Sequence, residues 1–150
     1  MHRVRRVLLV ENDPAVVEMM NIYLGYAGYE AITAVSVEDA IRIIDEDVIN
    51  RGSGGILLEE EMIEVAGEDD ENNDLPKQFK VIDAILLDGS LHQELDSLQV
   101  LDRVKHHRLP APVIAISGNP VSNRILCEQG AKASFVKTQT MAIVGYLATL

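Results

Sequence analysis

The chain is poor in cysteine and in aromatic residues. A single cysteine, Cys127, stands among its 150 residues, and tryptophan is absent. One cysteine cannot form a disulfide within the chain, which suits a reducing compartment such as the cytoplasm. Aromatic residues make up only 4%, so aliphatic side chains must build the core, and a hydrophobic content of 47% supplies them. This length fits one domain, residues 1–150, with a single hydrophobic core.

The chain also lacks long apolar runs and a basic surplus. No apolar run approaches the roughly 20 residues that a membrane span needs. Glu11 and Asp13 interrupt the apolar stretch near the N-terminus, so a signal peptide is not expected. The net charge is −11, which disfavours binding of nucleic acid or an anionic membrane through a broad basic surface.

The acidity is concentrated in one segment. Residues 59–74 contain nine acidic residues and no lysine or arginine, which leaves −2 for the rest of the chain. The surrounding region, about 51–78, predicts an insertion of about 25 residues, since such connections usually have ~2–6. RGSGG (51–55) predicts a flexible break, and GEDDENND (67–74) is too polar to pack. The insertion is expected to contact a partner or nothing. That it confers specificity for a partner and that it has no function are equally open hypotheses.

Outside the insertion, apolar runs alternate with amphipathic stretches. The strands are predicted at 4–10, 29–35, 79–87, 113–116 and 133–136. The helices are predicted at 14–27, 37–49, 97–108, from Asn119-Pro120 to Gly130, and at about 139–149. Asp13 before Pro14 predicts a helix N-cap. Strands this apolar are buried on both faces, which predicts a doubly wound α/β fold with a parallel sheet and helices on each side.

Polar side chains follow four of these strands at the point where each ends. They are Glu11 and Asn12 after the first, Asp88 after the third, Ser117 after the fourth and Lys137 after the fifth. Ligands of doubly wound folds bind at the carboxyl ends of the strands. The sequence therefore predicts a functional site at that edge.

Five stretches resemble the receiver domain of two-component response regulators, the CheY-like family. They are VLLVENDP, DAILLDGS, LDSLQVLDRVK, VIAISGNP and GAKASFVKT, and with the βα register they cover nearly all of the chain outside the insertion. The resemblance implies a flavodoxin-like sheet with strand order 2-1-3-4-5. It also implies phosphorylation of Asp88 by a histidine kinase or phosphotransfer protein. A divalent cation, Mg²⁺ or Mn²⁺, would be bound by Glu11, Asn12, Asp88 and the Ser90 carbonyl.

The chemistry accounts for these residue types. A carboxylate attacks phosphorus only if the charge on the phosphoryl group is neutralised, and a hard dication with oxygen ligands does this. Lys137 can pair with one phosphoryl oxygen, and the Ser117 hydroxyl can donate to another. The added negative charge would draw Ser117 and its loop inward, which is the switch. Such a protein is a phosphoacceptor regulator rather than an enzyme.

The sequence departs from the family pattern at four places. Asn12 stands where the family usually has a second acid, so we expect weaker metal binding. The segment after Asp88 lacks the usual proline and is one residue longer. Ser134 occupies the position of the switching aromatic residue, with Phe135 beside it. Thr138 stands where proline is frequent, so no cis peptide is expected.

Three hypotheses follow. The leading one is a stand-alone receiver that signals by protein contact through helix four, strand five and helix five, a face through which two copies could also pair. The alternative is a degenerate receiver that binds a partner without phosphorylation. The third is a flavodoxin-like cofactor binder, which the absence of a glycine-rich or hydroxyl-rich loop after strand one argues against.

Overall fold

The computed structural model describes residues 4–54, 81–89, 91 and 94–150. Within these ranges, five strands alternate with five helices. The strands are β1 (Arg6–Val10), β2 (Glu30–Ala34), β3 (Ala84–Asp88), β4 (Val113–Ile116) and β5 (Ala133–Phe135). The helices are α1 (Pro14–Tyr26), α2 (Val37–Gly54), α3 (Glu94–His106), α4 (Pro120–Glu128) and α5 (Thr140–Leu147).

The strands form one parallel sheet in the order β2-β1-β3-β4-β5. Val10 of β1 pairs with Leu87 of β3, and Asp88 at the end of β3 pairs with Ile116 of β4. Because all strands run the same way, the residues that follow them emerge at one edge. The predicted fold class and strand order are confirmed.

Side chains of each strand alternate between two cores. Leu8 and Val10 of β1 lie in a cluster that includes side chains of α2, α3 and α4, whereas Val7 and Leu9 face α1 and α5. All four are fully buried. This period of two, with both faces apolar, is why the strand sequences are continuous hydrophobic runs rather than alternating ones. The predicted helices on both faces are therefore present.

Two helices begin as their sequences predict. The Asp13 carboxylate accepts a hydrogen bond from the Ala15 amide at 3.0 Å, and the Asn119 side chain accepts one from the Val121 amide at 2.9 Å. In both helices proline is the first residue, where its missing N–H costs nothing. Asp13 is thus confirmed as an N-cap.

Helix α2 differs from its prediction, because it continues to Gly54 through the expected flexible break. The Arg51 side chain donates to the Asp47 carboxylate (Nε–Oδ2 2.6 Å) and to the Ile82 carbonyl, and the Ile82 amide donates to Asp47 Oδ1 at 2.9 Å. These tertiary contacts outweigh the cost of about 1 kcal/mol for glycine in a helix. The rest of the predicted insertion lies outside the described residues.

Smaller differences concern the third strand and the third helix. Strand β3 begins at Ala84 rather than 79, and helix α3 begins at Glu94 rather than 97. Ahead of β3, the Asp83 carboxylate accepts hydrogen bonds from the amides of Arg5 and Arg6, both at 2.9 Å. A carboxylate that binds two backbone amides fixes the chain at the amino edge of the sheet. Within the described ranges, no helix is both long and apolar enough to cross a membrane.

Candidate functional site

The first side chain of the site, Glu11, leaves β1 at the carboxyl edge of the sheet. Its backbone amide donates to the Ala34 carbonyl at 2.9 Å, which prolongs the pairing with β2 by one residue. The side chain is fully buried, and Oε2 accepts a hydrogen bond from the Asp13 amide at 3.0 Å. The helix-capping residue thus also holds the Glu11 carboxylate in place.

Lys137 joins the buried acids of two strands. Its Nζ lies 3.1 Å from Glu11 Oε2 and 3.2 Å from Asp88 Oδ2, and both carboxylates belong to fully buried residues. The lysine side chain remains 20% exposed. Among the contacts between described residues, one ammonium therefore faces two carboxylates in a largely buried site.

The pKa values of these groups reflect burial and the closeness of the two acids. Burial, and then the charge of Asp88, raise the pKa of Glu11 above its ordinary value, although contacts with Asp13 and Lys137 oppose the shift. Burial by itself would lower the pKa of Lys137, but the hydrogen bond to Glu11 and the charge of Asp88 outweigh it, so that pKa is raised. A further cation would relieve the repulsion between the two acids.

Ser117 lies beside the turn that carries Asp88. It is fully buried; its amide donates to the Phe135 carbonyl at 3.2 Å, and its Oγ accepts from the Asn119 amide at 3.1 Å. A Cβ added at Gly89 would lie 3.4 Å from Ser117 Cβ and 2.9 Å from Ser122 Cβ. Glycine after Asp88 therefore permits the start of α4 to approach the acid.

The donor set fits a hard divalent cation. Glu11 Oε1 is buried and has no hydrogen-bond partner among the described residues, although such atoms are usually paired. Half-buried Asn12 follows Glu11 and carries an amide oxygen. Carboxylate and amide oxygens are ligands of Mg²⁺ and Mn²⁺. In the described part of the chain, no three His, Cys, Asp or Glu side chains form a metal-binding group.

The sequence-predicted site residues thus divide into three sets. Glu11, Asp88 and Lys137 are in direct contact, and Ser117 lies against the Asp88 turn. Asn12 is at the same edge. Ser90, predicted to supply a carbonyl ligand, lies outside the described residues.

Two further residues beside the site were missed by the sequence reasoning. The buried Ser97 hydroxyl of α3 donates to the Asp88 carbonyl. The buried Asn123 amide of α4 donates to the carbonyls of Phe135 (3.1 Å) and Ser117 (3.4 Å). In the sequence, only helical spacing indicates that these two residues are buried. Ser97 lies three residues before buried Val100, and Asn123 lies three residues before buried Leu126.

Neither a protein-family model nor a curated protein matches the sequence. Solved structures do match. The receiver domain of the Francisella response regulator 1452 is 13% identical, with a TM-score of 0.62, and the match covers 97% of each chain. A CheY-like receiver domain protein from Methanospirillum hungatei JF-1 is 16% identical, with a TM-score of 0.61 over 96% of this chain and 90% of the other.

A third match is the response regulator TrrA from Thermotoga maritima, solved in complex with Mg²⁺–BeF. It is 18% identical, with a TM-score of 0.64 over 96% of this chain and 99% of the other. At such identities the likeness concerns the fold. This chain has the fold of response regulator receiver domains over nearly its whole length.

Proposed function

We propose that the chain is a receiver of a two-component phosphorelay, phosphorylated on Asp88 with Mg²⁺ or Mn²⁺ bound beside it. The contact that carries this proposal is the Lys137 ammonium between the buried carboxylates of Glu11 and Asp88, at the carboxyl edge of a receiver-type sheet. A structural ion pair needs only one acid for one lysine. Two buried acids and an unpaired Glu11 oxygen leave a place for a second cation.

The reaction transfers a phosphoryl group from a phosphohistidine of a kinase or phosphotransfer protein. An Asp88 oxygen attacks phosphorus, an O–P bond forms, the N–P bond breaks, and the imidazole leaves with its electron pair and takes up a proton. Glu11, Asn12 and Asp88 would hold the metal ion, which would supply positive charge beside the phosphoryl oxygens. Lys137 exchanges its contact with Asp88 for a phosphoryl oxygen, and the Ser117 hydroxyl donates to another. The chain modifies only its own Asp88, so it is a regulator rather than an enzyme.

Output is proposed to occur by protein contact in the cytoplasm. Three apolar side chains are exposed on α4, after β5 and on α5: Val121 (51%), Val136 (38%) and Met141 (71%). They belong to the elements joined to the site through Ser117 and Lys137. A downstream protein, or a second copy of the chain, would bind there.

The experiment that tests phosphorylation is incubation with acetyl phosphate and Mg²⁺, read by intact mass. The wild type should gain one phosphoryl group, Asp88→Asn none, and Asp102→Asn, a control on the exposed side of α3, the same as wild type. Beryllofluoride with Mg²⁺ should perturb the resonances of Gly89 and Ser117 only when Asp88 is present. Absence of any Asp88-dependent change at saturating reagent and Mg²⁺ would contradict the proposal.

A degenerate receiver that binds its partner without phosphate is the second candidate. The observation that favours it is Asn12, because an amide supplies an oxygen to a metal but no charge. Titration with Mg²⁺ separates the two candidates. Millimolar or tighter binding that is lost in Asp88→Asn supports the phosphorelay, and its absence supports the phosphate-independent module.

A further inference from the structure

Asn123 ties the site to the last strand of the sheet. Its Nδ2 donates to the Phe135 carbonyl at 3.1 Å and to the Ser117 carbonyl at 3.4 Å. The Phe135 carbonyl also accepts the Ser117 amide at 3.2 Å. One amide group therefore links the turn after β4, the first part of α4 and the end of β5.

Asparagine at this position carries a cost to stability. The residue is only 6% exposed, and its Oδ1 is buried without a hydrogen-bond partner in the described part of the chain. A buried polar atom that is left unpaired destabilises a fold, and an apolar side chain of similar volume would avoid that cost. What asparagine offers here and leucine does not is an amide donor that reaches two carbonyls.

The two carbonyls join the Asp88 end of the site to the segment that follows β5. Ser117 lies against the Asp88 turn, whereas Phe135 directly precedes Val136 and lies two residues before Lys137. After β5, the Val136 amide donates to the Gln139 side chain at 2.9 Å, and the Gln139 amide donates to the Val136 carbonyl at 2.8 Å. Hydrogen bonds thus hold the chain at Phe135, at Val136 and at Gln139, which immediately precedes α5, where Met141 is exposed.

We infer that Asn123 is a positioning residue that transmits movement of Ser117 to Val136 and Met141. The inference rests on the proposed function, in which a phosphoryl group on Asp88 draws Ser117 inward. Because the Asn123 amide is bonded to both carbonyls, and the Ser117 amide to the Phe135 carbonyl, Ser117 cannot move without carrying the end of β5 or breaking these bonds. This hydrogen-bonded route needs no rotating aromatic side chain, and Ser134 in β5 provides none.

The test is NMR of the full chain at saturating Mg²⁺ and beryllofluoride. In the wild type, the amides of Gly89, Ser117, Val136 and Met141 should all shift. In Asn123→Leu, which keeps the volume, and in Asn123→Asp, which turns an oxygen toward the carbonyls, Gly89 and Ser117 should still shift. The shifts of Val136 and Met141 should fall at least about twofold when the shared bridge is removed.

Arg124→Gln, on the exposed side of the same helix, is the matched control and should behave as the wild type. Equal shifts of Val136 and Met141 in the wild type and both Asn123 variants would overturn the inference while leaving the proposed function intact. If the wild type itself shows no Asp88-dependent response, the proposed function and the inference fail together.

One readout needs no variant, which matters if both substitutions impair folding. The Asn123 side-chain amide resonances of the wild type should shift with Val136 as beryllofluoride is titrated, with the same midpoint. A stationary Asn123 amide alongside a shifting Val136 would also overturn the inference.

Discussion

At the scale of single residues, the site is defined by two buried acids that share one lysine. Glu11 and Asp88 are fully buried, and Lys137 is the cation in contact with both. Buried charges are tolerated only when they are paired, so removal of the shared partner exposes the repulsion between the two acids. The stability of the protein should therefore depend on Lys137 and on any cation that can replace it.

Replacing Lys137 by methionine should lower the free energy of unfolding by about 3 kcal/mol, at the lower end of the range for breaking a buried pair because the lysine is partly exposed. Mg²⁺ should restore more stability to this variant than to the wild type, since a bound dication supplies the missing charge. Urea unfolding with and without Mg²⁺ measures both effects. Lys132→Met, at an exposed lysine, is the control, and an equal Mg²⁺ effect on Lys137→Met and the wild type would contradict the prediction.

Asn12 allows the opposite experiment, in which charge is added to the metal site. Asn12→Asp should tighten Mg²⁺ binding about tenfold, or ~1.4 kcal/mol, which a unit charge a few Å from a dication readily provides in a partly buried site. Asn21→Asp makes the same change at an exposed position of α1. Calorimetric titration should show tightening in the first variant only; equal affinities in both would mean that residue 12 is not a ligand.

The residues at the strand ends could be predicted from the sequence, and the residues behind them could not. Glu11, Asp88 and Lys137 each follow an apolar run, and a parallel sheet brings such positions to one edge. Asn123 and Ser97 lie within amphipathic helices, where a polar residue is ordinarily solvated. Their burial depends on how the helices dock against the sheet, which periodicity alone does not specify.

At the scale of elements, the end of α2 is another feature that the local sequence does not predict. RGSG reads locally as a break, yet residues 51–54 are helical. The cause is non-local, because Arg51 reaches Asp47 on its own helix and the Ile82 carbonyl just before β3. By contrast, β4 at Val113–Ile116 has the predicted bounds, since a short apolar run between a proline and a serine leaves little choice.

Arg51→Met should therefore destabilise the protein by about 3 kcal/mol, because Asp47, only 4% exposed, would keep a buried charge without its cation. Arg42→Met is a matched control on the same helix. Arg42 pairs with Asp39 and Glu46, but its side chain is 58% exposed, and exposed pairs contribute little. Thermal unfolding should show a clear loss for Arg51→Met alone, and similar losses for both variants would disprove the role of the buried pair.

At the scale of the whole molecule, the two edges of the sheet have separate tasks. The carboxyl edge holds Glu11, Asp88, Ser117 and Lys137. At the amino edge, α2 ends at Gly54 and the chain is described again from Val81, just ahead of β3. Asp47 and Arg51 bind Ile82, and Asp83 binds the amides of Arg5 and Arg6. Contacts between described residues therefore fix both flanks of 55–80 to the sheet.

This separation predicts that residues 56–79 can be replaced by a short glycine-serine linker without loss of the fold or of the chemistry at Asp88. The residues that the structure describes in the two apolar cores and in the five strands all lie outside that range. A shorter connection also costs less loop-closure entropy. The shortened chain and the full chain should both unfold cooperatively, and both should take up beryllofluoride with Mg²⁺ at the same affinity. A second variant combines the deletion with Arg51→Met. It also removes the contact that fixes the end of α2 to Ile82. If the deletion alone abolishes cooperative unfolding or beryllofluoride uptake, the acidic segment belongs to the folded core or to the site, and the independence of the two edges is wrong.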